Sequence, residues 1–201
     1  TSVGYVFLTH LHVDHCSDLM SFIQSMWMQD YKENLVVYGP PGVISWLNTL
    51  LDSVYPYLRS KLKVQVVELP ERYTLSLGSA DVTTCRTLHG GADTRAIRID
   101  HQGKSVVFSS DTAPSDEVIR LALGCDLLIH ECTWLDGTHP PNVHSSPTEL
   151  GVVVSKTRPR TVVLTHMHPE VVGHAEDVIK AVRQSAECEV KLGTDMMTIV
   201  L

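Results

Sequence analysis

What the sequence lacks narrows its class before any motif is read. Its five cysteines (Cys16, Cys85, Cys125, Cys132 and Cys188) are odd in number and include no C-x-x-C pair. Free thiols in a reducing compartment, the cytoplasm, are therefore the expectation. No apolar run approaches the roughly 20 residues of a membrane span, so no membrane partner is expected. Positive charge is in deficit: 16 Lys and Arg against 23 Asp and Glu give −7 with His neutral. That argues against a broad basic surface for nucleic acid. No internal repeat, low-complexity tract or linker divides the chain. An initiator methionine is missing too: the chain opens on Thr1, one short strand ahead of its densest motif, which leaves room for a secretory signal or targeting segment upstream.

What remains is an ordinary globular composition. The 201 residues are 43% apolar and 19% charged, enough for one domain, 1–201, with a real core. Apolar runs predict strands at 3–8, 35–38, 64–69, 73–75, 80–88, 96–100, 105–109, 127–129, 161–164, 189–192 and 197–201. His101-Gln102-Gly103-Lys104 reads as a hairpin turn. Helical spacing of Leu19, Phe22, Ile23 and Met26 predicts a helix over 18–28. A second covers 43–54, opened by Pro40-Pro41-Gly42 and ended by Pro56. Ser115 caps a helix that stops at Gly124. Ser146-Pro147-Thr148-Glu149 is a capping box for a helix to about Lys156, and a last helix covers 175–185. Trp27 and Met28 read as core or rim. Strands followed by alternating helix and strand fit a layered α/β domain.

The chemistry concentrates in His10-Leu11-His12-Val13-Asp14-His15. Residues two apart share a face of a strand, so His10 and His12 can point the same way where the first strand ends, with Asp14 and His15 in the turn. Imidazole suits zinc, and a carboxylate can be both ligand and proton acceptor. His89, Asp111 and His166 each stand just past another apolar strand, where loops carry function on a rigid scaffold. Alone, each would be a turn or cap residue. Together with the first motif they make seven ligands, the right count for two ions that share a carboxylate. Cys16 reads as a packed thiol, His168 as a rim residue, and His101, His139 and His174 as solvated.

The H-x-H-x-D-H spacing resembles that of the metallo-β-lactamase superfamily of dinuclear metallohydrolases. His130-Glu131-Cys132-Thr133 and Asn142-Val143-His144-Ser145-Ser146 resemble its ribonuclease Z branch, with Cys132 and Ser146 in place of an alanine and a threonine. Gly193-Thr194-Asp195 is similar to a segment of the same branch, in which Asp195 would support a ligating histidine or close a turn. The resemblance implies an αββα sandwich whose N-terminal strands lie outside this chain. It implies that His10, His12 and His89 hold one zinc, that Asp14, His15 and His166 hold the other, and that Asp111 bridges them. It also implies that Glu131 orients His144 to meet a phosphate oxygen or protonate the leaving group. Between His89 and Asp111 there is room only for a compact hairpin, so the arm-less form of the branch is the one resembled.

The expectation is then a dinuclear zinc phosphodiesterase, with manganese or iron as alternative metals. Asp14, Glu131 and His144 are its catalytic residues. Its substrate is a phosphodiester, RNA among the candidates, and a homodimer is its expected assembly. Arylsulfatase, lactonase or β-lactamase-like hydrolysis on the same metals is the first alternative. A non-catalytic nucleic-acid-binding or scaffold protein is the second.

Overall fold

The computed structural model describes residues 3–137, 140–184 and 187–201. His139 and the predicted helix end at Ser185 lie outside the described residues. The chain divides into two compact units, Thr1–Pro70 and Glu71–Leu201.

In the first unit β1 (Tyr5–Phe7), α1 (Val13–Cys16), α2 (Asp18–Met28), β2 (Leu35–Gly39), α3 (Val43–Thr49), α4 (Pro56–Arg59) and β3 (Val64–Glu68) follow in order. The three strands form one parallel sheet, β1-β2-β3, with Tyr5 opposite Val36 and Leu35 opposite Val64. Parallel pairing needs crossovers, and the helices supply them. Leu19, Ile23 and Met26 of α2 and Val43 and Leu47 of α3 pack with Leu35 and Val37 in one buried cluster. Met28, off that stripe, is 74% exposed, whereas Trp27 packs against the cluster.

Two expectations for this unit are corrected. The helix expected over 43–54 is α only to Thr49. Leu50–Val54 is a π-helical turn in which the Tyr55 N–H reaches Leu50 O at 2.7 Å. Pro56 does not merely end that helix: it opens α4, because its missing N–H costs nothing in a first turn. Helix α1 was not foreseen. It spans one turn, and its Val13 is 74% exposed, so no apolar stripe announces it.

The second unit holds β4 (Arg72–Leu77), β5 (Ala80–Arg86), β6 (Arg95–His101), β7 (Lys104–Phe108), α5 (Asp116–Ala122), β8 (Leu127–Glu131), α6 (Pro147–Thr157), β9 (Thr161–Thr165), α7 (Pro169–Gly173), α8 (Ala175–Arg183) and β10 (Glu189–Leu192). They build a seven-stranded sheet ordered β10-β9-β8-β7-β6-β5-β4. β4 to β7 run antiparallel; β7 to β10 run parallel. Gln102 and Gly103, at φ 50° and 73°, turn β6 into β7 as the hairpin sequence demands, two residues of positive φ matching the strand twist. Leu128, Val162 and Leu164 pack with Val118, Leu150, Val154, Val178 and Val182 from the helices.

The expected strand 197–201 is absent among the described residues. The Met197 N–H bonds back to Thr194 O in a turn, and Val200 is 91% exposed; an apolar pair without a ladder partner does not make a strand.

Candidate metal centre

In the first unit the six-residue motif leaves β1 through Leu8 and Thr9 and enters α1. His10 is 1% exposed, and its Nδ1 lies 3.2 Å from Thr9 Oγ1. His12 sits at the N-cap of α1 in extended conformation. The change from strand to helix between them lets His15 fold back. The His10 ring centroid is 4.5 Å from that of His12 and 4.2 Å from that of His15. Asp14 Oδ2 is 3.2 Å from His15 Nε2. Cys16 is buried, and burial followed by the Asp14 charge pushes its thiol up. The reading of Cys16 as a packed thiol fits its burial.

In the second unit His89, Asp111 and His166 lie beyond strand ends. Asp111 follows Ser110, whose φ is 54°, and His166 itself sits at φ 52°. Left-handed backbone is unfavourable for either residue and persists where the surroundings fix it. Asp111, 3% exposed, places its Oδ2 3.7 Å from His89 Nε2 and 3.5 Å from His166 Nε2. Two donors each about 2.1 Å from one tetrahedral ion stand about 3.4 Å apart. Both separations suit an ion held between the atoms better than direct hydrogen bonds. Asp111, His144 and His166 likewise bring ligand-capable atoms within 4.8 Å of one another.

Hydrogen bonds fix which nitrogen of the His89 and His144 rings carries the proton. His89 Nδ1 lies 2.8 Å from the Val143 carbonyl, which can only accept, so Nδ1 donates and Nε2 keeps its lone pair toward Asp111. Glu131, fully buried at the end of β8, is surrounded by donors. Its Oε1 accepts from Thr112 N and from His144 Nδ1, each at 2.7 Å. Its Oε2 accepts from the Thr133 hydroxyl at 2.7 Å, Ser145 N at 3.1 Å and Thr133 N at 3.3 Å. The expected pairing of Glu131 with His144 is thus present as a direct contact. His144 stacks against His166 with centroids 5.4 Å apart and meets His89 edge-on at 4.8 Å.

Sequence reading missed the backbone half of this arrangement. Thr112 N, Ser145 N and the Val143 carbonyl belong to loops whose approach no local pattern encodes. It also missed Arg95, fully buried and paired with Asp93. His168 is exposed and stacks on Trp134 at 4.7 Å, a rim position as expected. Asp195 stands exposed in the turn after β10. His101 and His174 are exposed, each with Nδ1 on a backbone carbonyl.

The beta-lactamase superfamily domain model matches residues 1–167, and the chain belongs to that family. An uncharacterized protein of Mycobacterium tuberculosis is 29% identical over 182 residues; the match covers 87% of this chain and 65% of that protein. The chain therefore spans somewhat less than two thirds of that relative's length. Ribonuclease Z of Methanothermobacter thermautotrophicus is 25% identical, covering 98% of this chain and 79% of its own. Among solved structures, the metallo-beta-lactamase fold protein YhfI from Bacillus subtilis superposes with a TM-score of 0.79 at 23% identity. That match covers 95% of this chain and 74% of YhfI. The fold expected from the opening motif is thereby the one observed, and the chain carries His/Asp clusters that could hold a metal ion. Among the described residues no helix is long and apolar enough to cross a membrane.

Proposed function

We propose that the chain is a dinuclear zinc hydrolase of phosphodiesters, ribonuclease Z-like, with residues 1–201 working as one catalytic domain. The observation that carries the reading is Asp111: a single oxygen meets the Nε2 atoms of both His89 and His166, while their Nδ1 atoms are engaged elsewhere. That is what a carboxylate shared by two ions requires. In this reading His10, His12 and His89 would hold one ion and Asp14, His15 and His166 the other, with Asp111 as the carboxylate that both would share. Manganese or iron would satisfy the same donors.

When bound, the ions supply a hydroxide near neutral pH and offset charge building on the phosphate oxygens. The chain's own residues do the rest. Asp14, exposed in α1, would ligate an ion and orient the attacking oxygen. His144, its Nδ1–H fixed on Glu131, presents Nε2 to the leaving oxygen and gives it a proton. The buried Glu131 balances the imidazolium that this requires. Similarity to ribonuclease Z supports RNA among the substrates. The five free cysteines support the cytoplasm as the compartment, and a homodimer is the proposed assembly, read by light scattering.

Hydrolysis of bis(p-nitrophenyl) phosphate by the metal-loaded chain is the test. His12→Ala and Asp111→Ala abolish it. Wild-type turnover in either, at unchanged metal content, would sink the assignment. His144→Ala loses turnover and keeps both ions; loss of an ion instead would make His144 a ligand, which its place beside Asp111 and His166 also permits. Turnover of a sulfate ester, a lactone or nitrocefin in preference to the phosphodiester would move the chemistry to that ester or amide class.

A further inference from the structure

Thr133 follows β8 by two residues and is 7% exposed. Its hydroxyl oxygen has three polar neighbours: Glu131 Oε2 at 2.7 Å, His166 Nδ1 at 2.8 Å and His144 Nδ1 at 3.3 Å. A hydroxyl carries one proton. The carboxylate can only accept, so that proton goes to Glu131. The oxygen must then accept from His166, which places the His166 proton on Nδ1 and leaves Nε2 as the bare nitrogen that faces Asp111 at 3.5 Å. His144 spends its Nδ1–H on the other oxygen of the same carboxylate, 2.7 Å away.

We propose that Thr133 is the positioning residue of the site: through one hydroxyl it sets the tautomer of His166 and ties that histidine to the carboxylate that orients His144. Part of this rests on the reading of His166 as a metal ligand. The tautomer itself does not, because it follows from donor and acceptor counting alone. The two histidines with separate proposed duties, holding an ion and giving a proton, share one anchor.

The step has a direct readout. In the metal-free chain, imidazole nitrogen NMR is expected to show His166 and His144 as Nδ1–H tautomers. Thr133→Ser, which keeps the hydroxyl, retains both. Thr133→Val, close in shape but without the hydroxyl, releases His166 to mixed tautomers and leaves His144 on Glu131. A His166 carrying its proton on Nε2 in the unaltered chain would overturn the proposal without any variant having to fold. The second readout is zinc affinity, by competition with a chromophoric chelator. Removing such a partner of a ligating histidine typically weakens binding 10–100-fold, so Thr133→Val is expected to weaken one of two ions by that factor, with Thr133→Ser near the unaltered value. Equal zinc binding in the valine variant, or an equal loss in the serine variant, overturns the role assigned to the hydroxyl. If the unaltered chain binds no zinc, the hydrolase reading fails instead, and the NMR result still decides the tautomer.

Discussion

Glu131 shows what a single buried side chain can organise. It is 0% exposed, and every hydrogen-bonding group aimed at it is a donor. Both oxygens meet a backbone N–H, Thr112 on one side and Ser145 and Thr133 on the other. Glu131→Gln cannot satisfy them: whichever way the amide turns, its NH2 faces an N–H. An unsatisfied buried donor costs about 1–3 kcal/mol, so urea unfolding of Glu131→Gln should show a loss of that size. An unchanged midpoint would mean that the loops adjust freely. Its neighbour His130 behaves oppositely. It is fully buried, its Nδ1 reaches the Glu131 carbonyl at 2.7 Å, and its Nε2 makes no hydrogen bond within the described structure. Burial pushes its imidazole below the ordinary 6.5. The unfolded chain therefore binds a proton there that the folded chain does not. The stability that neutral His130 permits is complete above pH 6.5 and is lost as the pH falls toward the folded-state value, with a slope of up to about 1.4 kcal/mol per pH unit. His130→Leu should flatten the fall in urea midpoint between pH 7 and pH 5; an unaltered acid limb would assign it to other groups.

Elements were legible where their ends carry local chemistry. The capping box at 146–149 is present as read: the Ser146 N–H donates to Glu149 Oε2 at 3.0 Å, and the Ser146 side chain takes the Glu149 N–H. The Leu19, Ile23 and Met26 stripe gave α2 its full extent, because buried positions recur there at helical spacing. Ends decided by distant partners were not legible. Gly193 is one of these: its N–H reaches Leu164 O at 2.7 Å, and an added Cβ would lie 2.7 Å from that same oxygen. Gly193→Ala should force β10 away from β9 and lower the thermal midpoint by several degrees. A midpoint within one degree would show that this edge yields cheaply. Ser146→Ala should cost about 1 kcal/mol. Since His144 stands two residues before this cap, it should also reduce phosphodiester turnover while leaving bound metal unchanged. Loss of stability with full turnover would separate the cap from the His144 loop.

For the whole chain, the seven candidate ligands were the legible part, because strand ends and ligand types are both local facts. The partners that set their tautomers, the Val143 carbonyl and the Thr133 hydroxyl, were not, because they arrive from loops far along the sequence. The same contrast governs what metal removal should do. His10 in the first unit and His89 and Asp111 in the second are buried and carry donor atoms that suit a metal ion. A ligand that binds the folded state alone stabilises it by mass action, about 2.7 kcal/mol at a hundredfold excess over its Kd. Chelation should therefore abolish turnover and lower the thermal midpoint together, and zinc or manganese should restore both. Turnover that survives exhaustive chelation, with metal analysis confirming removal, would end the metallohydrolase reading. Acidity bears on substrate in the same way. A chain of net charge −7 repels a polyanion except where local cations offset it. Small phosphodiesters should be turned over with little dependence on salt between 50 and 200 mM, roughly the range over which multi-phosphate contacts lose their grip. A rate on long RNA that exceeds the small-ester rate and falls steeply with salt would instead identify a polynucleotide-tracking surface on this acidic chain.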